Sequence, residues 1–482
     1  MPSVNKQSLR EEFDQLKVRF EDLSNQGKIT PESSTLFQAM IMLFELLIAV
    51  FMEKKTRKNN RNSSIPSSQT GEDKTAARSG TNGKGKKQNG VLSGNTRTIE
   101  TTQVAKVTDC EFCGESLDDV PSEEYERRTK IDIIFEKVVS HVDAEIKVCP
   151  QCKMQNKGRF PEDMKGPLQY GPGIKGYVVN LLVAQMISLK RVQQMVQTLI
   201  GRLLSEASIL KYVMQLHYAL EAWEQSAIER LLRMPAIHVD ETSLRVERKN
   251  HWIHVASAGD ITLKFLHPKR GLEAIEDIGI IPRYGGVVIH DCWQSYLSYN
   301  HCGHGLCGSH LLRELTFIVD SNGYRWAANI KRLLKENCAI VARRQSKQLT
   351  EKEYKSLQKR YRNILTRGEK ELPSIPPRQN GKRGRVAKSD AHNLWERLKK
   401  HESAVLLFAK VSHVPFTNNR AERDLRMSKV KQKVSGCFRT KKYAHAYCRI
   451  SSYLQTMANK GYNPLVAIQM AFSGQIYSDR GE

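Results

Sequence analysis

The sequence offers little that would hold it in a membrane or export it. Its 482 residues contain one long apolar stretch, Leu36 to Met52, which carries Glu45 and is short for a bilayer span. A packed helical hairpin suits that stretch better. The N-terminus is polar and acidic, without the early apolar core region that a secretory signal needs. Negative charge is scarce too: 51 Asp and Glu face 76 Lys and Arg, which leaves a net charge of +25. Such an excess favours a polyanionic partner, because each neutralised phosphate releases counterions. A disulfide framework is not needed to explain the ten cysteines. Four of them fall in two Cys-x-x-Cys pairs and the others are scattered, which suits a reducing cytoplasm and metal binding. The absences predict a cytoplasmic protein with no membrane partner. A hydrophobic content of 40% over this length supports two or three domains with real cores.

Composition and periodicity divide the chain. In residues 1–57, Leu9, Phe13, Leu16, Phe20 and Leu23 alternate by four and three, a short heptad seam that Gly27 ends. Thr30-Pro31-Glu32 then reads as the start of a second helix, running to about Arg57. The seam predicts either self-association or a hairpin packed within the chain. Residues 58–104 are rich in Lys, Arg, Asn, Ser and Gly and read as a basic disordered linker. In residues 105–160, Cys110 and Cys113 open a unit that Cys149 and Cys152 close. Two such knuckles supply the four thiolates of a structural Zn²⁺ site with no position left open for water. Between them, residues 130–135 and 138–142 read as short strands. Residues 161–234, helical in pattern from about Gly173 to Met234, read as a connector or a small DNA-reading unit.

After Pro235 the period changes from helix to strand. Ala236 to Asp240, Trp252 to Ser257 and Ile261 to Leu266 read as a three-strand meander, with turns at Arg248-Lys249-Asn250 and Ala258-Gly259-Asp260. Gly271 to Ile281 reads as a helix and Gly286 to His290 as a fourth strand. Trp293 to Tyr299 then reads as helical, and a short strand follows near Gly305 to Cys307. Three antiparallel strands followed by parallel strands and helices is the ribonuclease H-like order, in which the first and fourth strands are neighbours. Asp240 and Asp291 end those two runs, so one sheet edge would carry both. Residues 324–412 read as a helical insertion, interrupted at 368–390 by Pro, Gly, Lys and Arg. The third acid must come from a helix, with Glu314 and Glu422 as candidates. Three carboxylates so placed can hold two hard divalent cations, Mg²⁺ or Mn²⁺, for phosphodiester chemistry. His310, Arg313 and Glu314 share one helix face and support the site or orient DNA. Arg420, Arg423, Arg426, Lys429, Lys431, Lys433 and Arg439 form a stripe suited to phosphates.

The overall expectation is an α/β multidomain chain. It has an N-terminal helical coiled-coil hairpin, a zinc ribbon, a helical connector, a ribonuclease H-like core over 235–472 and a tail at 473–482. The rivals are a stand-alone ribonuclease H-like nuclease and a non-catalytic zinc-dependent DNA-binding protein.

Specific strings sharpen this. His238-Val239-Asp240-Glu241-Thr242, His267-Pro268-Lys269-Arg270-Gly271, His290-Asp291, Leu306-Cys307 with His310-Leu311-Leu312-Arg313-Glu314-Leu315, and Asn418-Asn419-Arg420-Ala421-Glu422-Arg423-Asp424-Leu425-Arg426 are long and particular. Over roughly residues 100 to 472 the chain resembles the transposases of the IS66 family of bacterial insertion sequences. The resemblance implies a DDE transposase with Asp240, Asp291 and Glu422 as its acids and two Mg²⁺ ions about 4 Å apart at the scissile phosphate. It also implies double-stranded DNA partners (transposon ends and target), assembly as a homo-oligomer on DNA, accessory proteins of the same element and a place at the bacterial nucleoid. The chain departs from the family pattern at Cys292, where Gly is usual, at Gly308-Ser309, where Asn-Ala is common, and at Thr417, where Asp often stands.

Overall fold

A computed structural model describes residues 6–26, 28–30, 33–34, 36–41, 44, 101–133, 135–375 and 388–476. The expected linker up to residue 100, and most of the expected second helix to Arg57, lie outside the described residues. The elements begin with α1 (Lys6–Asn25), β1 (Ile146–Val148), β2 (Gln155–Lys157), α2 (Pro172–Val179), α3 (Leu189–Ile200), α4 (Glu206–Ala219) and α5 (Glu221–Leu232). The middle of the chain forms β3 (Ala236–Val246), β4 (Lys249–Ala258), β5 (Ile261–His267), α6 (Leu272–Ile278), β6 (Val287–His290) and β7 (Gly303–Leu306). Then come α7 (Gly308–Asn322), α8 (Arg325–Arg343), α9 (Glu351–Glu369), α10 (Asp390–Lys400) and α11 (Glu402–Lys410). Last are α12 (Asn419–Ser435), α13 (Lys441–Asn459) and α14 (Pro464–Phe472).

The chain divides into two compact units. Met1–Gly83, Pro235–Val239 and Ile281–Glu422 make the first; Lys84–Met234, Asp240–Ile280 and Arg423–Glu482 make the second. Among the described residues, five strands are hydrogen-bonded in the order β5-β4-β3-β6-β7. This is the mixed sheet that the strand periodicity predicts.

In the first unit the strands are parallel. Ala236, Ile237 and His238 of β3 pair with Val287, Val288 and Ile289 of β6, and β6 pairs in turn with β7. Parallel strands are covered on both faces, so they read as apolar runs without alternation; Ile237, Val288 and Ile289 are fully buried. The helices α7 to α11 close around a core of their own that includes Trp326, Leu334, Tyr361, Leu394 and Phe408. Helix α9 shows why these segments are helical. Thr350 and Glu353 form a reciprocal capping box at its start. Tyr354, Leu357, Tyr361 and Leu365 then recur at threes and fours along its buried face. The polar tips in that core are satisfied: the Tyr361 hydroxyl donates to Leu398 O at 3.0 Å and Trp395 Nε1 donates to Leu365 O at 2.9 Å. The break expected at 368–390 falls between α9 and α10, with 376–387 outside the described residues.

In the second unit β4 and β5 form an antiparallel hairpin in which Gly259 turns at φ +53°. An edge strand such as β5 presents unpaired backbone groups. Here α13 answers them: Thr262 N donates to Thr456 Oγ1 at 3.1 Å and Lys264 N donates to Ser452 Oγ at 2.8 Å. The Lys264 ammonium is itself fully buried and donates to Ser451 Oγ at 2.8 Å. Helices α2 to α5 fulfil the helical reading of 173–234, and Gly201 at φ +70° ends α3.

Three expectations need correction. Residues 130–133 and 135–142 form no strand; the described strands of that region are β1 and β2, which flank the second knuckle instead. Ile131 and Val138 are 88% and 87% exposed, so their apolar character reflects no buried face. Residues 293–299 form turns rather than a helix. Asp240 does not end its strand either: β3 continues to Val246, because its backbone groups find β4 where β6 stops.

Candidate functional site

Each of the three expected acids stands in its own structural setting. Asp240 lies in β3, two residues beyond His238, the last residue paired with β6. Its Oδ1 accepts the Glu241 N–H at 2.9 Å. Glu241 points the other way along the pleat and is buried against Arg270, at 2.7 Å. Arg270 in turn stacks 5.0 Å over the Trp252 ring. The Glu241–Arg270 pair consumes the second carboxylate of the Asp-Glu string.

Asp291 follows the last residue of β6. Its Oδ1 accepts the Trp293 N–H at 3.1 Å, an Asx-type turn that bends the chain away from the sheet. His290 beneath it is fully buried. Cys292 N donates to His290 Nδ1 at 3.1 Å, so the ring proton sits on Nε2, which meets His304 Nδ1 at 3.2 Å. His304 Nε2 then donates to Tyr299 O at 2.9 Å. Burial, and after it the neighbouring His304, pushes His290 down to about 3. Cys292 occupies φ +74°, the left-handed region in which a Cβ is strained.

Glu422 stands in the first turn of α12 and faces α7. Its Oε1 is 3.4 Å from His310 Nδ1 and 3.9 Å from the Arg313 guanidinium. Cys307, the N-cap of α7, completes the group: one ligand atom each from Cys307, His310 and Glu422 lie within 4.8 Å of one another. Among the described residues this is the group of three or more that could hold a metal ion, and the knuckle cysteines are not part of it. Burial first, then Arg313 and Arg397, pushes His310 down to about 4. The other candidate, Glu314, is tied in an ion pair to Arg397 of α10.

Asn418 holds the start of α12 in place. It is buried, with its backbone N–H donating to Cys307 Sγ at 3.1 Å and its amide donating to Val239 O at 2.8 Å. Its Oδ1 meets His238 Nδ1 at 2.9 Å. Gly308 lets this approach happen, since a Cβ there would fall 2.2 Å from the Phe416 ring. Cys307 and Asn418 were quoted above only as parts of strings. The signal for Cys307 was its Cys-x-x-His spacing to His310.

The basic stripe is uneven. Arg423, Arg426, Lys433 and Arg439 are exposed and Arg420 is half-buried. Lys429 turns inward, with Nζ donating to Ser243 O at 2.7 Å. Lys431 is buried, donates to Leu182 O at 3.2 Å, and is pushed down to about 8 by that burial. It therefore faces protein, not solvent. Each cysteine knuckle forms its own tight turn: Gly114 N donates to Cys110 O and Lys153 N donates to Cys149 O, both at 2.9 Å. Backbone N–H groups of Cys113 and Phe112, and of Cys152 and Gln151, lower the Cys110 and Cys149 thiols respectively. No helix among the described residues is long and apolar enough to cross a membrane.

The protein is a mixed α/β one, and its metal-capable cluster stands at the start of a basic helix. Residues 167–446 match the family model described as Transposase IS66 family, and the chain belongs to that family. No curated protein matches it. The family carries with it a transposase role, a DNA substrate and a divalent metal ion.

Proposed function

We propose that the chain cleaves the ends of its insertion sequence and joins them to target DNA, using Asp240, Asp291 and Glu422 as a DDE site on a ribonuclease H-like core. The observation that carries this is the register of β3 and β6. His238 pairs with Ile289, and each catalytic aspartate stands two residues further along its own chain. Glu422 is the better third acid because Glu314 is already neutralised by Arg397.

The donor set fits hard cations. Carboxylate oxygens suit Mg²⁺ or Mn²⁺, and Glu422 Oε1 is buried without a hydrogen-bond donor. Two such ions, held by these carboxylates, would supply Lewis-acid activation of the attacking oxygen and charge neutralisation at the leaving one. The chain's own residues do the rest. The Asx turn at Asp291 and the hydrogen-bonded His290–His304 pair hold that carboxylate's backbone. Asn418 fixes the first turn from which Glu422 projects. Arg423 and Arg426 are exposed for phosphate contact.

Cys110, Cys113, Cys149 and Cys152 are the four thiolates that a structural Zn²⁺ ion would draw together; among the described residues they do not form a metal-capable group by themselves. Helix α1 keeps Leu16 and Leu23 exposed, at 65% and 38%, which supports self-association through the heptad seam when two DNA ends are brought together. Accessory proteins of the element and a nucleoid location belong to the same proposal, as do the domain boundaries given above.

The test is an oligonucleotide assay carrying a transposon end, with Mg²⁺ present. Asp240→Asn and Asp291→Asn are each expected to lower end cleavage about 1000-fold while DNA binding persists. Cleavage without joining would make the protein a nuclease; unchanged activity in both variants would leave a DNA-binding module.

A further inference from the structure

Two hard metal ions have no use for a thiol, yet Glu422 shares its surroundings with one. Cys307 Sγ, His310 and Glu422 present a sulfur, an imidazole nitrogen and a carboxylate oxygen within 4.8 Å of one another. In a tetrahedral Zn²⁺ site, bond lengths near 2.0–2.3 Å place ligand atoms about 3.5 Å apart. The observed group needs only a small contraction to reach that. Its polar atoms are also unspent: His310 Nδ1 and Glu422 Oε1 are both buried without a hydrogen-bond partner. Cys307 caps α7, and its sulfur accepts the Asn418 N–H at 3.1 Å, which holds it beside His310 and Glu422.

We propose that Cys307, His310 and Glu422 form a binding site for a thiophilic divalent cation of the Zn²⁺ class, and that its occupation withdraws Glu422 from the hard-metal site. Sulfur and imidazole donors select against Mg²⁺ and favour Zn²⁺ or Co²⁺. Two anionic donors balance the cation, and Arg313, at 3.9 Å from Glu422 Oε1, is loosely enough placed to give way. Three protein ligands leave a fourth position for water. The site would make the enzyme inhibitable by traces of soft metal while it runs on Mg²⁺. The inhibition rests on Glu422 being the third catalytic acid; the binding does not.

The full chain, titrated with Co²⁺ and with Zn²⁺ against a chromogenic chelator, tests binding without reference to activity. The parent is expected to hold one more equivalent than Cys307→Ser, and the difference spectrum to show a single thiolate-to-Co²⁺ band. The knuckle cysteines are unchanged and cancel in that difference. His310→Gln is expected to lose the same equivalent, with affinity down about 100-fold, and decides the matter if Cys307→Ser fails to fold by circular dichroism. Equal stoichiometry and equal spectra in parent and variants would overturn the site. In the cleavage assay at fixed Mg²⁺, Cys307→Ser is expected to tolerate about 10-fold more Zn²⁺ than the parent. Binding without inhibition would keep the cation site and overturn its competition for Glu422.

Discussion

Asn418 and His238 meet at 2.9 Å across 180 residues of chain, and the same amide also donates to the carbonyl of Val239, next to Asp240. One buried side chain thus fastens the start of the helix that carries Glu422 to the strand that carries Asp240. Asn418→Ala removes the side-chain donor to the buried Val239 carbonyl and one hydrogen-bond partner of His238. It is expected to cost about 2 kcal/mol in urea unfolding, with cleavage lowered further than that loss of folded protein explains. A variant as stable and as active as the parent would deny Asn418 this role.

The two glutamates that sequence left open separate cleanly by substitution. Glu422→Gln keeps the shape and removes a metal-binding charge, so end cleavage is expected to fall about 1000-fold with Kd for DNA unchanged. Glu314→Gln breaks only the pair with Arg397. It is expected to lower stability by about 1 kcal/mol and leave cleavage within a few-fold. The reverse pattern would move the third acid to α7.

Salt dependence distinguishes exposed cations from buried ones. Arg423→Ala and Arg426→Ala are each expected to lower the slope of log K for DNA against log salt by about 1. Lys431→Met removes a buried ammonium and is expected to leave that slope unchanged, because its Nζ is bonded to Leu182 O inside the second unit. A reduced slope in Lys431→Met would place that residue on the DNA.

Burial pushes His254 down to about 4 from its ordinary 6.5, with a hydrogen bond to Lys269 O acting the other way. The unfolded chain therefore takes up a proton that the folded one refuses between those values. Stability from this residue is complete above 6.5 and is lost as pH falls towards about 4, by up to about 1.4 kcal/mol per pH unit. His254→Gln keeps a donor for the carbonyl and carries no charge. Denaturant midpoints measured across that window are expected to fall less steeply in the variant; equal slopes would assign the acid sensitivity to other groups.

Where the sequence was legible, local rules and tertiary packing agreed. The runs at Ala236, Ile261 and Gly286 are bounded by turn residues and did become strands, and Thr350 with Glu353 starts a helix by short-range chemistry alone. Illegible features depended on distant partners. Arg397 lies 83 residues from the Glu314 that it occupies, and Leu182 lies 249 residues from Lys431. No periodicity reports such pairings. Ile131 and Val138 misled for the opposite reason, since their apolar pattern meets no core at all. At Cys292 the structure gives the expected departure a physical side: the position has a left-handed backbone that a glycine would adopt without strain.

The order in which the chain is made gives the helices α7 to α11 a further meaning. Both aspartates leave the ribosome long before Asn418, and five described helices with their own core are made in between. Contacts of such sequence separation close late in folding. A polypeptide truncated between Asp291 and Asn418 has both strand acids but neither Glu422 nor the amide that fastens its helix. On the proposed assignment of the three acids, such unfinished copies lack a member of the site, and cutting waits until α12 has been made.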